Sequence, residues 1–136
     1  MTMVANGSYD FDFKGRKILL VEDNPVAYKV TSSMMQRVGL EFDHAWNGEK
    51  AVELCQNHLY DMVLMDMQLP GIDGMEAARR IRQIRPDQRV IAATASDYME
   101  DREAFLKAGC EACFIKPLKF RDLFEFMQQL FREGNG

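Results

Sequence analysis

Five short apolar runs recur along the chain, each followed by a stretch whose apolar residues come every three or four positions. The runs are 17–21 (KILLV), 42–46 (FDHAW), 62–66 (MVLMD), 90–94 (VIAAT) and 112–115 (ACFI). They are too short for helices, and turn residues bound them. The uninterrupted ones therefore read as strands buried on both faces. Between them the spacing predicts helices. Asn24-Pro25 opens the first, with Asn as cap and Pro at the first helical position. Val26, Val30, Met34 and Val38 are its expected apolar positions, and Gly39 stops it. Asn47-Gly48 turns into a second helix carrying Ala51, Leu54, Cys55 and Leu59. Asp73 and Glu76 have capping-box spacing, so a third starts near Gly74 with Ala77, Ile81 and Ile84 on one side, and Pro86 ends it. Asp97 and Glu100 repeat that spacing at a fourth, which runs to Ala108. The fifth has a clear apolar stripe of Phe120, Leu123, Phe124, Met127, Leu130 and Phe131.

Strand and helix alternate five times. That order predicts an α/β fold, a doubly wound five-stranded parallel sheet with helices on both faces. One domain is expected over 15–132, with 133–136 as a C-terminal tail. Residues 1–14 read as an N-terminal extension: a cloning remnant, a linker from a neighbouring domain, or a short strand lying on the body. No effector domain is expected after the fifth helix.

Composition narrows the function. The chain has 136 residues, 28% of them charged, and a net charge of −4. No basic block is present to bind nucleic acid. Arg79, Arg80, Arg82 and Arg85 share one predicted helix and read as a solvated face. Cys55, Cys110 and Cys113 are odd in number. Cys110 and Cys113 form a C-x-x-C without a second ligand pair, which argues against zinc. Unpaired cysteines suit a reducing compartment, so a cytoplasmic location is expected. No stretch approaches the ~18 apolar residues of a membrane span, and no signal peptide is evident.

In an open parallel sheet the carboxyl ends of all strands lie on one edge, where such folds bind ligands. Glu22 and Asp23 follow the first strand, Asp66 ends the third, Thr94 ends the fourth and Lys116 follows the fifth. Three carboxylates brought together repel one another. A hard divalent cation relieves that repulsion, and Mg²⁺ favours few carboxylates with water and a phosphate oxygen. Lys116 supplies a mobile positive charge for phosphate, and Thr94 a hydroxyl. Asp66 is then the expected nucleophile, because carboxylates form acyl phosphates. His44 and His58, on an edge strand and at a helix end, read as surface residues.

The phrases KILLVEDNP, AWNGEKAVEL, YDMVLMDMQLPGIDGMEAARRIR, IAATAS and IKPL stand in the order found in one family. From about Lys17 to Phe131 the chain resembles receiver domains of two-component response regulators, and it looks most like the receiver modules of hybrid histidine kinases. The resemblance implies a flavodoxin-like three-layer sandwich with strand order 2-1-3-4-5. It makes Asp66 the phosphoacceptor and Glu22 and Asp23 the acidic pair for Mg²⁺ (or Mn²⁺), with the backbone carbonyl of Gln68 as a further ligand. Thr94 becomes the switch hydroxyl and Lys116 the conserved-type lysine, followed by a Lys116-Pro117 bond that is commonly cis. Gln68 and Ser96 border the hydrolytic water and tune dephosphorylation. A histidine kinase or histidine phosphotransfer protein is the implied phosphodonor. The face made by the fourth helix, fifth strand and fifth helix is the implied partner or homodimer surface, including Tyr98, Met99, Arg121 and Phe126.

Two positions depart from the family. Ala27 stands where hybrid-kinase receivers often carry Asn. Cys113 stands at the switch position, where an aromatic is usual, and Phe114 beside it should face the other way. The expected function is a phosphoacceptor, not a turnover enzyme. One alternative is a pseudo-receiver that never takes phosphate. Another is an aspartyl-phosphate hydrolase, but Gln68 stands where such enzymes need a second acid.

Overall fold

A computed structural model describes residues 11–134. Its elements follow in strict alternation: β1 (Lys17–Val21), α1 (Pro25–Arg37), β2 (Glu41–Ala45), α2 (Gly48–Asn57), β3 (Met62–Asp66), α3 (Gly74–Ile84), β4 (Val90–Thr94), α4 (Met99–Lys107), β5 (Ala112–Ile115) and α5 (Phe120–Gly134). All strands pair in parallel, in the order β2-β1-β3-β4-β5. The expected architecture and strand order are both observed.

Period-two alternation divides the sheet's side chains between two cores. Ile18, Leu20, Met62, Leu64, Ile91 and Ala93 face α1 and α5, where Met35, Val38, Leu123, Phe124 and Met127 meet them. Leu19, Val21, Val63, Met65, Val90, Ala92 and Cys113 face the other layer, against Ala51, Cys55, Ala77, Ala78 and Ile81. With helices on both sides, every residue of β3 and β4 is buried. Cys113 and Phe114 fall on opposite faces, as the strand period requires.

Several local expectations are corrected. The buried side of α1 is Thr31, Ser32 and Met35, while Val26 and Val30 are 73% and 52% exposed. A spacing of four drifts around a helix of 3.6 residues per turn, so the apolar series does not stay on one face. Leu59 and Ile84 are also exposed. The Asp97/Glu100 capping box does not form: Tyr98 is the cap residue of α4, without a side-chain cap bond. The second strand spans Glu41–Ala45, one residue earlier than its pattern suggests.

Two residues of the segment before Gly15 lie against the body. Phe11 and Phe13 are buried against Phe124 and Phe131, with ring centroids 5.5–5.9 Å apart. Phe13 N–H donates to Val38 O at 2.7 Å. Residues 1–10 of the expected extension and 135–136 of the expected tail lie outside the described residues.

At the amino ends of the strands sits Gln88, fully buried. Its Oε1 accepts from Tyr60 N–H at 2.9 Å, and its Nε2 donates to Tyr60 O and Arg89 O, each at 3.0 Å. These bonds tie the loop entering β3 to the loop entering β4. At the opposite ends, Gly74 lets the start of α3 close onto β3. A Cβ there would lie 2.4 Å from Asp66 O and 2.6 Å from Met67 Cα, so no larger residue fits without moving the backbone that carries Asp66.

Candidate functional site

The carboxyl ends of β1, β3, β4 and β5 bring Glu22, Asp23, Asp66, Thr94 and Lys116 to one edge of the sheet. One carboxylate oxygen each from Glu22, Asp23 and Asp66 lies within 4.8 Å of the others. Glu22, Asp66 and Thr94 are buried and Asp23 is exposed. Lys116 Nζ reaches across the gap, 2.9 Å from Glu22 Oε1 and 3.3 Å from Asp66 Oδ2. The Lys116-Pro117 bond that follows it is cis.

Local backbone completes the cluster. Asp66 Oδ1 accepts from Gln68 N–H at 3.0 Å, and Glu22 Oε2 accepts from Asn24 N–H at 3.2 Å. Asn24 Oδ1 caps α1 by accepting from Val26 and Ala27 N–H. Thr94 Oγ1 accepts from Ser96 N–H at 3.1 Å. Gln68 Oε1 accepts from Ala95 N–H at 3.4 Å, joining the loop after β3 to the loop after β4. Ser96 Oγ is taken by a short hydrogen bond to Asp101 on α4.

The electrostatics are those of a pocket short of positive charge. Burial raises the Asp66 carboxyl above its usual range. The Gln68 N–H opposes this, Glu22 adds to it, and Lys116 only partly offsets it. Burial acts to depress the Lys116 ammonium, but Glu22 and Asp66 outweigh it and hold its pKa above the ordinary value. Lys116 pairs with Glu22 and Asp66 and leaves Asp23 without an ammonium among the described residues, so the three carboxylates and one lysine, when ionised, carry a net −2 (three negative, one positive). All the convergent donors are hard oxygens, which suits Mg²⁺ and Mn²⁺ rather than softer metals.

Beside Lys116, a groove of about 250 Å³ runs between α1 and α5, lined by Glu22, Ala27, Val30, Thr31, Lys116, Pro117, Leu118 and Phe120. Ala27 is thus part of its wall. On the far side, Cys113 lines a cavity of about 20 Å³ with Thr94, Ser96, Asp97, Tyr98, Arg102 and Ile115. Phe114 turns away from it and packs edge-on against Phe126 at 5.5 Å. Of the expected partner-surface residues, Tyr98 and Met99 are 70% and 71% exposed, and Arg121 is exposed beside Glu125. Phe126 is half-buried in the α1/α5 core.

His44 departs from its expected surface position. It is half-buried, not a free surface residue, and its Nε2 lies 2.8 Å from the Glu22 carbonyl oxygen. Its ring stacks on Tyr28 at 3.9 Å. Burial holds the imidazole below its ordinary range, with the Glu22 bond opposing. Nothing in an edge-strand pattern signals such a contact. His58 is exposed, 5.9 Å from the Tyr60 ring.

The family described as "Response regulator receiver domain" matches residues 18–128. The chain is 36% identical over 124 residues to the autoinducer 2 sensor kinase/phosphatase LuxQ of Vibrio cholerae, covering 90% of this chain and 14% of that protein. It therefore spans about a seventh of that relative's length. Among solved structures it is similar to the receiver domain of a sensor histidine kinase from Pseudomonas aeruginosa, which has a magnesium ion coordinated in its active-site cleft. That match has 37% identity and a TM-score of 0.80, over 85% of this chain and 97% of the other. It is also similar to the receiver domain of Saccharomyces cerevisiae Ssk1, solved with the histidine phosphotransfer protein Ypd1. There the identity is 26% and the TM-score 0.81, over 87% and 90% of the two chains.

Proposed function

The chain belongs to the response regulator receiver domain family of two-component systems, and from that membership we propose that Asp66 is its phosphoacceptor. The observation that carries this is the cluster of Asp66 with Glu22 and Asp23, in which a single ammonium, on Lys116, bridges Asp66 and Glu22. A pocket with a net −2 has an unmet need for a dication. Glu22, Asp23, Asp66 and the Gln68 carbonyl would hold Mg²⁺ (or Mn²⁺). When bound, that ion supplies charge neutralisation for the pocket and for an incoming phosphoryl group.

An Asp66 carboxylate oxygen donates its electron pair to the phosphorus of a phosphohistidine. The phosphorus–nitrogen bond breaks, and its electrons return to the imidazole of the donor. Lys116 then neutralises charge on the transferred group, and Thr94 Oγ offers it a hydrogen bond. These are the positioning and electrostatic roles that phosphoryl transfer requires of a protein. Gln68 and Ser96 flank the position from which water attacks the acyl phosphate, so they set its lifetime. Neither an amide nor a neutral hydroxyl is a general base, and both side chains are held in place, by Ala95 N–H and by Asp101. Slow hydrolysis without turnover is the expected behaviour.

The donor is a histidine kinase or a histidine phosphotransfer protein, and the apolar groove between α1 and α5 gives it a docking floor beside Lys116. The Ssk1 receiver's complex with Ypd1 supports such a pairing. A cytoplasmic module fits this donor and the three free cysteines. No helix among the described residues is long and apolar enough to cross a membrane. Output, including any homodimer, is assigned to the face of α4, β5 and α5, where Tyr98, Met99 and Arg121 are exposed. With Cys113 at the switch position, the signal leaves through movement of the β4–α4 loop rather than an aromatic rotamer.

The test is intact-mass measurement after incubation with Mg²⁺ and a small acyl phosphate. A single base-labile phosphate adduct is expected on the unaltered chain. None is expected on Asp66→Asn or in excess chelator. Labelling that survives either change rejects the assignment, and no labelling of the folded parent favours a pseudo-receiver.

A further inference from the structure

The peptide unit between Glu22 and Asp23 is planar, so its carbonyl and its N–H turn together. Whatever holds the Glu22 carbonyl therefore sets the direction in which Asp23 leaves β1. The Glu22 N–H is already fixed, donating to Ala45 O at 3.1 Å as the last bond between β1 and β2. On the other side of Glu22, its carbonyl oxygen is met by His44 Nε2 at 2.8 Å. A carbonyl oxygen only accepts, so Nε2 carries the proton. Asp23 needs this external support. Its carboxylate is exposed and makes no hydrogen bond or ion pair with the described residues, so its aim comes from its backbone alone.

The His44 ring is itself held firmly. Tyr28, in the first turn of α1, stacks on one face at 3.9 Å and 20° between planes. Trp46 meets the ring edge-on at 4.0 Å. Tyr28 N–H in turn donates to Asn24 O at 2.9 Å, closing the turn that begins at Glu22. The stack thus joins β2 to α1 across the acidic turn, and His44 is the member whose side chain bonds to that turn.

We propose that His44 is a positioning residue for the dication pocket, holding the Glu22 carbonyl so that the turn presents Asp23 toward Glu22 and Asp66. The proposal rests on the reading of that pocket as a Mg²⁺ site. Its removal leaves folding and the other carboxylates in place but lets the Glu22–Asp23 peptide rotate. Groups that orient metal ligands affect metal affinity in this way, although they never touch the ion.

The test compares Mg²⁺ affinity by two-dimensional amide NMR, following Asp23 and Gln68, in the unaltered chain, His44→Phe and His44→Gln. Phe keeps the aromatic stack and loses the donor, whereas Gln loses the stack and keeps a donor near the Nε2 position. His44→Phe is expected to bind Mg²⁺ about five-fold more weakly. His44→Gln is expected to remain within about two-fold of the parent. His44→Phe binding as tightly as the parent, or His44→Gln binding as weakly as His44→Phe, overturns the proposal. A second measurement needs no variant. In the unaltered chain the His44 Nε2–H resonance should be protected from exchange and should shift with the same Mg²⁺ midpoint as Asp23. A ring protonated only on Nδ1, or an unresponsive Nε2–H, also overturns it. Failure of the unaltered chain to bind Mg²⁺ at all rejects the pocket reading itself, a result distinct from a null effect of the variants.

Discussion

Asp66, the proposed phosphoacceptor, is a buried carboxylate that opposes the stability of its own fold. Burial, with Glu22 adjacent, raises its pKa against the opposing effects of Gln68 N–H and Lys116. Between the ordinary carboxylate range and that raised value, the folded chain keeps a proton that the unfolded chain has lost. Stability therefore falls as pH rises through this window, and above it the ionised carboxylate remains a net cost. Asp66→Asn is expected to raise the melting temperature at neutral pH by on the order of a few degrees in the absence of Mg²⁺. The parent should also gain more stability from Mg²⁺ than this variant does. Thermal unfolding with and without the ion checks both, and a variant that melts below the parent contradicts the sign. The cysteines tell a plainer story. Burial pushes the Cys55 thiol up to about 11 and the Cys110 thiol up to about 12. Both are inert core residues at neutral pH.

Among the elements, α1 is where spacing alone misleads. Its apolar series of Val26, Val30, Met34 and Val38 suggests one face, yet the buried side chains include Thr31 and Ser32. Two of its valines instead stand free near the acidic turn, Val30 as part of the groove wall. Met35→Ala should cost about 2–5 kcal/mol, since Met35 is fully buried between α1 and the sheet. Val30→Ser should stay within about 0.5 kcal/mol. Urea unfolding of both variants distinguishes the two faces, and equal losses contradict the placement. Gln88 makes the complementary point. Its amide satisfies Tyr60 N–H and two carbonyls inside the protein. Gln88→Ala strands a buried Tyr60 N–H and should destabilise by about 1–3 kcal/mol. Hydrogen exchange at Tyr60 should quicken by more than global unfolding explains, and unchanged protection there contradicts the role.

For the whole molecule, the packed body extends past the boundary that the alternating pattern implies. Phe11 and Phe13 close the α1/α5 core against Phe124 and Phe131. Phe13→Ala should cost about 3–5 kcal/mol. A chain beginning at Gly15 should likewise melt well below the parent, and equal stability by calorimetry contradicts this packing. Much of the architecture was legible in the sequence, because strand and helix periods are local properties and short apolar runs admit few alternatives. The site was legible for a related reason. Parallel strands point their carboxyl ends one way, so Glu22, Asp23, Asp66, Thr94 and Lys116 had to share an edge once the strands were placed. Tertiary structure alone decided which residues of α1 face inward, how the segment before Gly15 packs, and what lies against the site. His44 meets Glu22 across 22 positions, and Gln88 meets Tyr60 across 28. Neither contact leaves a local trace, because a side chain's partner across the sheet depends on strand order and register, which no single stretch of sequence contains.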